Sequence, residues 1–173
     1  TFQEFNLLST LQASLDEMGL KKPTEIQSRT IPNLLAERSL VGVAETGTGK
    51  TLSYVLPILH MLKTLENKGD KIVNAASPRA VVIVPTRELG EQVTKVFKPF
   101  THTTRLRVRS VLGGTTMEVA KKNIRGTFEI LVATPGRLVK MLAHDQLNFS
   151  DVHILVFDEA DQMLDQGFLQ DAL

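Results

Sequence analysis

Glu45-Thr46-Gly47-Thr48-Gly49-Lys50-Thr51 brings together two glycines, a lysine and three threonines. That is the chemistry for holding a polyphosphate. Glycines let backbone N–H groups turn toward an anion, and a following helix adds its positive N-terminal dipole. Lys50 supplies a mobile charge for β/γ-phosphates, and the Thr51 hydroxyl can ligate Mg²⁺. The pattern G-x-x-x-x-G-K-[ST] is met except at its first position, which is Ala44. A Gly-rich turn that merely caps a helix would use the same residues.

A second reactive group is Asp158-Glu159-Ala160-Asp161, directly after the apolar run Ile154-Leu155-Val156-Phe157. A carboxylate at the end of such a strand is where a phosphate-loop enzyme holds magnesium. The adjacent glutamate is then placed to orient and deprotonate an attacking water. Alone, the same acids fit a helix N-terminus favoured by its dipole. Beside a Gly-Lys-Thr loop, the magnesium reading is the stronger, because the chemistry needs both halves.

Two further stretches share a design. Pro85-Thr86-Arg87 and Thr134-Pro135-Gly136-Arg137 each have a proline-fixed turn, a hydroxyl and an arginine where a helix should start. Free N–H groups there, with the arginines, suit the phosphates of a nucleic acid. Gly113-Gly114 permits close approach of a ligand to the backbone. Each of the three alone is also plain turn chemistry. Together they read as a phosphodiester track.

The elements that must carry these groups follow from the apolar pattern. Leu40–Ala44, Ala80–Val84, Arg107–Leu112, Glu129–Ala133 and His153–Phe157 read as strands. Helices are expected over Phe2–Met18, stopped by Gly19, and from Thr24 as cap through Leu35. Others are expected from Lys50, with Pro57 kinking it or resetting its start, from about Arg87, over Thr116–Ile124, and from Pro135 to about Leu142. Asn67–Pro78 reads as a surface loop. Short strands alternating with helices imply an α/β domain with a mainly parallel sheet flanked by helices. In such sheets ligands bind at the carboxyl ends of the strands, where every cluster named above falls.

The bulk numbers fit that class. The 173 residues allow one domain with a substantial core, and 42% apolar with 23% charged residues is a globular composition. A net charge of +1 means that nucleic-acid binding must come from local patches. Lys95, Lys98, Arg105, Arg107, Arg109, Lys121, Lys122 and Arg125 are basic and interspersed with few acids, and most read as a solvated face. The absence of cysteine excludes disulfides, Cys-based zinc sites and thiol catalysis. It fits the cytoplasm or another reducing intracellular compartment, the expected location, and no signal peptide is visible. His60, His102, His144 and His153 show no metal-ligand spacing.

In this order the motifs resemble the DEAD-box ATP-dependent RNA helicase family, over its first RecA-like domain. GLKKPTEIQ (Gly19 to Gln27) is similar to the family's Q motif, and Phe2 stands 17 residues before Gly19, at the place of an isolated aromatic. AETGTGKT resembles motif I, which in this family commonly begins with alanine. PTREL (Pro85 to Leu89) resembles motif Ia, Gly113-Gly114 the GG motif, TPGRL (Thr134 to Leu138) motif Ib, and Asp158 to Asp161 motif II.

The resemblance implies a RecA-like phosphate-loop domain that binds ATP with Mg²⁺. Gln27, a solvated glutamine by local chemistry, becomes a reader of the adenine edge, and Phe2 its stacking partner. Phe2, Gln27 and Ala44 to Thr51 would form the nucleotide site, with Lys50, Asp158 and Glu159 catalytic and Thr51 and Asp158 toward the metal. Pro85, Thr86, Arg87, Gly113, Gly114, Thr134, Pro135, Gly136 and Arg137 would contact RNA, largely without regard to its sequence. Asp161 would couple the motifs across domains.

Similar proteins separate short duplexes when two RecA-like domains close over RNA and ATP. Motif III and the second domain, with its arginine fingers, are not among these residues. The expectation is therefore a domain spanning residues 1–173, truncated before motif III, that alone is weakly active or inactive. A DNA-directed ATPase, a ribonucleoprotein clamp and a non-catalytic scaffold are the competing readings. Gln27 and the motif spelling weigh against DNA, and intact Lys50, Thr51, Asp158 and Glu159 weigh against a scaffold.

Overall fold

A computed structural model of the chain describes residues 1–42 and 49–165, with side chains to 163 in the last helix. It divides into two compact units, Thr1–Asp70 with Val96–Arg105, and Lys71–Lys95 with Leu106–Leu173.

The first unit is helical. A 3₁₀ turn, Phe2–Phe5, is followed by α1 (Ser9–Glu17), α2 (Glu25–Leu35) and α3 (Lys50–Asn67). The single helix expected over Phe2–Met18 is thus interrupted. Asn6 adopts a left-handed conformation (φ 55°), which asparagine tolerates, and ends the 3₁₀ turn. The backbone N–H of Leu8, exposed by that break, donates to Nδ1 of His60 on α3 at 3.2 Å. His60 is half-buried, and that burial holds its pKa below the ordinary histidine value. The apolar stripe survives the break, since Phe2, Leu11 and Leu15 are all buried.

Gly19 does stop α1. Its N–H reaches the Asp16 carbonyl and the Leu20 N–H reaches that of Leu15, with Gly19 at φ 73°. These are the paired bonds of a Schellman motif.

In α3, Pro57 does not reset the start of the helix, one of the two outcomes expected of it. The helix runs unbroken from Lys50 to Asn67, and Ser53 through Leu59 are all buried. A mid-helix proline costs about 3 kcal/mol, while each fully buried Val, Leu or Ile returns roughly 1.5–3 kcal/mol. Burial therefore wins. The strand expected over Leu40–Ala44 is absent over its described part. Leu40 to Gly42 are irregular and exposed, Val41 to 93%, and pair with no described strand. Val43 and Ala44 lie outside the described residues.

The second unit holds the sheet. β1 (Ala80–Ile83), β2 (Val108–Val111), β3 (Ile130–Ala133) and β4 (Ile154–Phe157) form four parallel strands in the order β2-β3-β1-β4. The register aligns Ala80 with Ile130 and Ile154, and Val108 with Ile130. All eight residues of β1 and β3 are buried, as strands covered on both faces must be.

Period-two alternation places Val81, Ile83, Leu131 and Ala133 on one face. They join a core with Ala120 of α5 (Met117–Asn123), Ile124 just past its end, and Leu138 and Met141 of α6 (Pro135–Ala143). Leu155 of β4 stays 48% exposed, as befits an outer strand among those described. α4 (Arg87–Thr104) begins in this unit, and α7 (Ala160–Asp165) follows β4. The expected α/β class, a parallel sheet flanked by helices, is what the chain forms.

Candidate functional site

Within the first unit, the residues expected at a nucleotide meet around the start of α3. Thr24 caps α2: its hydroxyl accepts from the Gln27 N–H at 3.4 Å, and the Gln27 Oε1 accepts from the Thr24 N–H at 2.9 Å. This is a capping box. The other end of the same amide, Nε2, donates to the Gly49 carbonyl at 3.1 Å. Gln27 is buried (4% exposed), so the solvated glutamine expected on local chemistry is not what folds. The Thr24-x-x-Gln27 spacing was the available sequence signal for its capping role.

Gly49 fits this clasp as no other residue would. It has φ 84°, and a Cβ there would lie 2.4 Å from Gln27 Nε2. Lys50 and Thr51, half-buried, open α3 directly behind it. Ala44, Glu45, Thr46, Gly47 and Thr48 lie outside the described residues. Phe2, expected as a stacking partner, is in the core. It is 1% exposed and meets Phe5 edge-on with centroids 6.0 Å apart.

Within the second unit, the strand ends converge on a groove of about 240 Å³ lined by Pro85, Arg87, Gly113 and Thr134 to Arg137. Thr86 caps α4 through its hydroxyl, which accepts from the Leu89 N–H at 3.2 Å. Arg87 is exposed and pairs with Glu91 at 3.1 Å. Gly114 has φ 85°, and an added Cβ would stand 3.2 Å from Arg87 Nη1. Thr134 bonds the Gly113 N–H at 2.8 Å, and Arg137 Nη2 donates to the Thr115 carbonyl. The three turns are thus one structure, and the role of Thr115 in it went unread in the sequence.

At the end of β4 the Asp158 N–H donates to the Ile83 carbonyl at 2.9 Å, and the residue is buried (4% exposed). Glu159 takes a left-handed backbone (φ 56°), costing roughly 1–2 kcal/mol for a non-glycine residue. Such strain persists where surrounding structure over-determines it, often at functional positions. Asp161 is exposed in the first turn of α7. Among the described residues, no three His, Cys, Asp or Glu cluster in a metal-holding group, and no helix is long and apolar enough to cross a membrane.

Of the basic residues, Arg107 is not merely solvated. Its guanidinium pairs with the buried Glu129 carboxylate at 2.8 Å, at the amino end of the sheet.

Comparison with known proteins agrees with this geometry. The chain is 38% identical over 167 residues to DEAD-box ATP-dependent RNA helicase 39 of Arabidopsis thaliana, covering 96% of this chain and 27% of that protein. It is 40% identical over 172 residues to the ATP-dependent RNA helicase DeaD of Buchnera aphidicola, covering 99% of this chain and 27% of that protein. The chain therefore spans about a quarter of the length of these relatives. Among solved structures, the RNA-helicase Prp28 from Chaetomium thermophilum bound to ADP superposes with a TM-score of 0.84 at 36% identity. That match covers 97% of this chain and 40% of the other. A hypothetical ATP-dependent RNA helicase from Sulfolobus tokodaii gives 0.81 at 33% identity, over 94% of this chain and 44% of that one. These likenesses identify the sheet and its helices as a RecA-like fold. The DEAD/DEAH box helicase family model matches residues 24–172, from the Thr24 cap past the acidic turn, and the chain belongs to that family.

Proposed function

We propose that this chain is the ATP-binding first RecA-like domain of an RNA helicase, extending over residues 1–173 and continuing into motif III. A second RecA-like domain would supply the remaining contacts. The whole protein would couple ATP binding and hydrolysis to local unwinding of RNA duplexes or remodelling of RNA–protein complexes. Residues 1–173 alone would be weakly active or inactive, since the arginines of the second domain complete the catalytic site.

The observation that carries this reading is the Gln27 clasp on Gly49. A carboxamide has two donor and two acceptor positions. Thr24 and Gly49 engage one of each, which leaves one donor and one acceptor, the complement of an adenine edge. The same bond to Gly49 ties base recognition to the start of the phosphate-binding helix. Phe2 would be the stacking partner of the base.

Ala44 to Thr51 would wrap the phosphates with backbone N–H groups, and Lys50 would balance their charge. The donor set fits Mg²⁺, a hard cation that takes oxygen ligands: the Thr51 hydroxyl and the Asp158 carboxylate would hold it, partly through water. When bound, it supplies neutralisation of charge developing on the phosphates. Glu159 would orient the attacking water and accept its proton. Asp161 would relay the nucleotide state to the second domain. On the RNA side, Arg87 and the backbone of Pro85, Thr86, Gly113, Gly114, Pro135 and Gly136 would track phosphates and 2′-hydroxyls, with Thr134 and Arg137 in the same groove.

The test uses the full-length protein. Lys50→Ala should lose nucleotide binding, whereas Glu159→Gln should keep it and lose RNA-stimulated hydrolysis by about a hundredfold or more. RNA should stimulate turnover and DNA of the same sequence should not. Wild-type turnover in either variant, or equal stimulation by DNA, would overturn the reading.

A further inference from the structure

The groove contains two arginines, and their surroundings differ. Arg87 is exposed, with only a surface pairing to Glu91. Arg137 is half-buried. Its Nη2 donates to the Thr115 carbonyl, and its Nε is buried with no hydrogen-bond partner. A guanidinium that also had to grip a phosphate would have to release that carbonyl or approach with what remains of its fork.

Thr134 shows the same inward engagement. It occupies the N-cap position of α6 with the extended backbone of a cap (φ −90°, ψ 148°), yet its hydroxyl makes no cap bond. It accepts instead from the Gly113 N–H at 2.8 Å, across 21 residues of sequence. Its own N–H donates to the Val111 carbonyl at 3.2 Å, and the residue is 6% exposed. Thr115 closes the set, donating to the Leu112 carbonyl at 2.7 Å. The Gly113–Thr115 turn is therefore fixed at its first N–H by Thr134 and at its last carbonyl by Arg137.

We infer that Thr134 and Arg137 are positioning residues that lock the Gly113-Gly114 turn to the start of α6, and that Arg87 is the arginine of this groove that contacts RNA phosphate. The inference rests on the RNA-binding reading above. Two glycines in succession are the most mobile backbone the chain could place there. A turn that presents its backbone to a ligand binds more tightly when its conformation is fixed beforehand. The Thr134 and Arg137 bonds provide that fixation, and they leave Gly136 exposed at the groove and α6 without a side-chain cap.

Salt dependence separates contact from positioning. Each phosphate neutralised contributes about 0.7 to the slope of log affinity against log salt on a single strand. With the full-length protein and a single-stranded uridine oligonucleotide, Arg87→Met should lower affinity and reduce that slope by about 0.7. Arg137→Met should lower affinity roughly tenfold and leave the slope unchanged, since it removes no ion contact. Thr134→Val should also cost roughly tenfold in affinity, and Thr134→Ser should recover most of it. Hydrogen exchange without RNA tests the lock itself: the Gly113 amide should exchange about tenfold faster in Thr134→Val than in wild type or Thr134→Ser.

A slope reduced by Arg137→Met, or a Gly113 amide indifferent to Thr134→Val, overturns the inference. Should the wild-type protein fail to bind the oligonucleotide while the exchange result holds, the RNA-binding reading falls and the lock stands.

Discussion

The two ends of the parallel sheet solve opposite problems. At the amino end, polar groups are turned on one another. The Glu129 carboxylate accepts from the Arg107 N–H at 2.8 Å and from its Nε and Nη2 at 3.1 and 2.8 Å, while Nη1 reaches Thr127. Asp151 accepts from Ser77 at 2.9 Å and Asn74 at 3.2 Å. The loops are joined by Ala76 to Gly126, Asn148 to Ala76 and His153 to Arg79.

At the carboxyl end the turns are built on Gly113-Gly114 and Pro135-Gly136, with Arg87, Gly114 and Gly136 exposed. At the amino end charged side chains are paired with one another, whereas at the carboxyl end Arg87, Gly114 and Gly136 stay exposed at the groove. Changes at the amino end should therefore register as stability, and changes at the carboxyl end as function.

The largest test of that contrast is Glu129→Ala. Glu129 is buried and Arg107 is partly exposed (42% for its side chain), so the loss should fall below that of a fully buried pair. We expect about 2 kcal/mol by denaturant titration, with nucleotide and RNA affinities of the folded protein unchanged. A loss of affinity without a loss of stability would break the comparison.

Gly90→Ala comes next and probes where the two properties meet. A Cβ there would lie 2.5 Å from Leu112 Cδ2, just before the Gly113-Gly114 turn. Overpacking should cost about 1–3 kcal/mol, partly relieved in the double variant with Leu112→Val. An additive double variant would show that the two residues do not press on each other.

Smaller in stability, but aimed at function, is Gly114→Ala. Its φ of 85° makes a side chain strained there, by about 1 kcal/mol. RNA affinity should drop by more than stability does, as paired titrations would reveal.

The smallest effect is the acid response of Asp151. Hydrogen bonds from Asn74 and Ser77 hold its pKa below the ordinary 3.8, with Arg79 and His153 adding attraction. A carboxylate lowered in the folded state contributes stability that is present above the unfolded value and lost as pH falls through the folded one. Asp151→Asn should therefore lower the unfolding midpoint slightly at pH 7 and lose that difference below about pH 4, which flattens the acid profile. An unchanged acid profile would remove Asp151 from the account of the amino end.

How much of this was legible in the sequence depends on how far each interaction reaches. β1 and β3 are short apolar runs that could be read directly, and the caps Thr24 and Thr116 announce α2 and α5 from one turn away. The interruption at Asn6 was not legible, because a 3₁₀ turn and an α-helix keep Phe2, Leu11 and Leu15 on the same apolar stripe. At Pro57 a reset of the helix start, one of the two local expectations, was overridden by burial. At the site, residue types gave the phosphate loop, the acids and the turns. The burial of Gln27 depends on Gly49, 22 residues away, and the engagement of Arg137 on Thr115, again 22 residues away. Neither distance leaves a mark in a local pattern.

The strand order has a consequence for how the protein is made. Of the described strands β1 leaves the ribosome first, yet its partners arrive 50 and 74 residues later, as Ala80 aligns with Ile130 and Ile154. β2 waits only 22 residues for β3, Val108 to Ile130. Loop-closure entropy grows with that separation, so the later-made β2-β3 pair is the cheaper nucleus. Until β3 emerges, the AVVI segment of β1 is an unpaired, wholly apolar strand. Nascent chains of this protein thus pass through a window in which β1, an inner strand among those described, is unpaired and aggregation-prone.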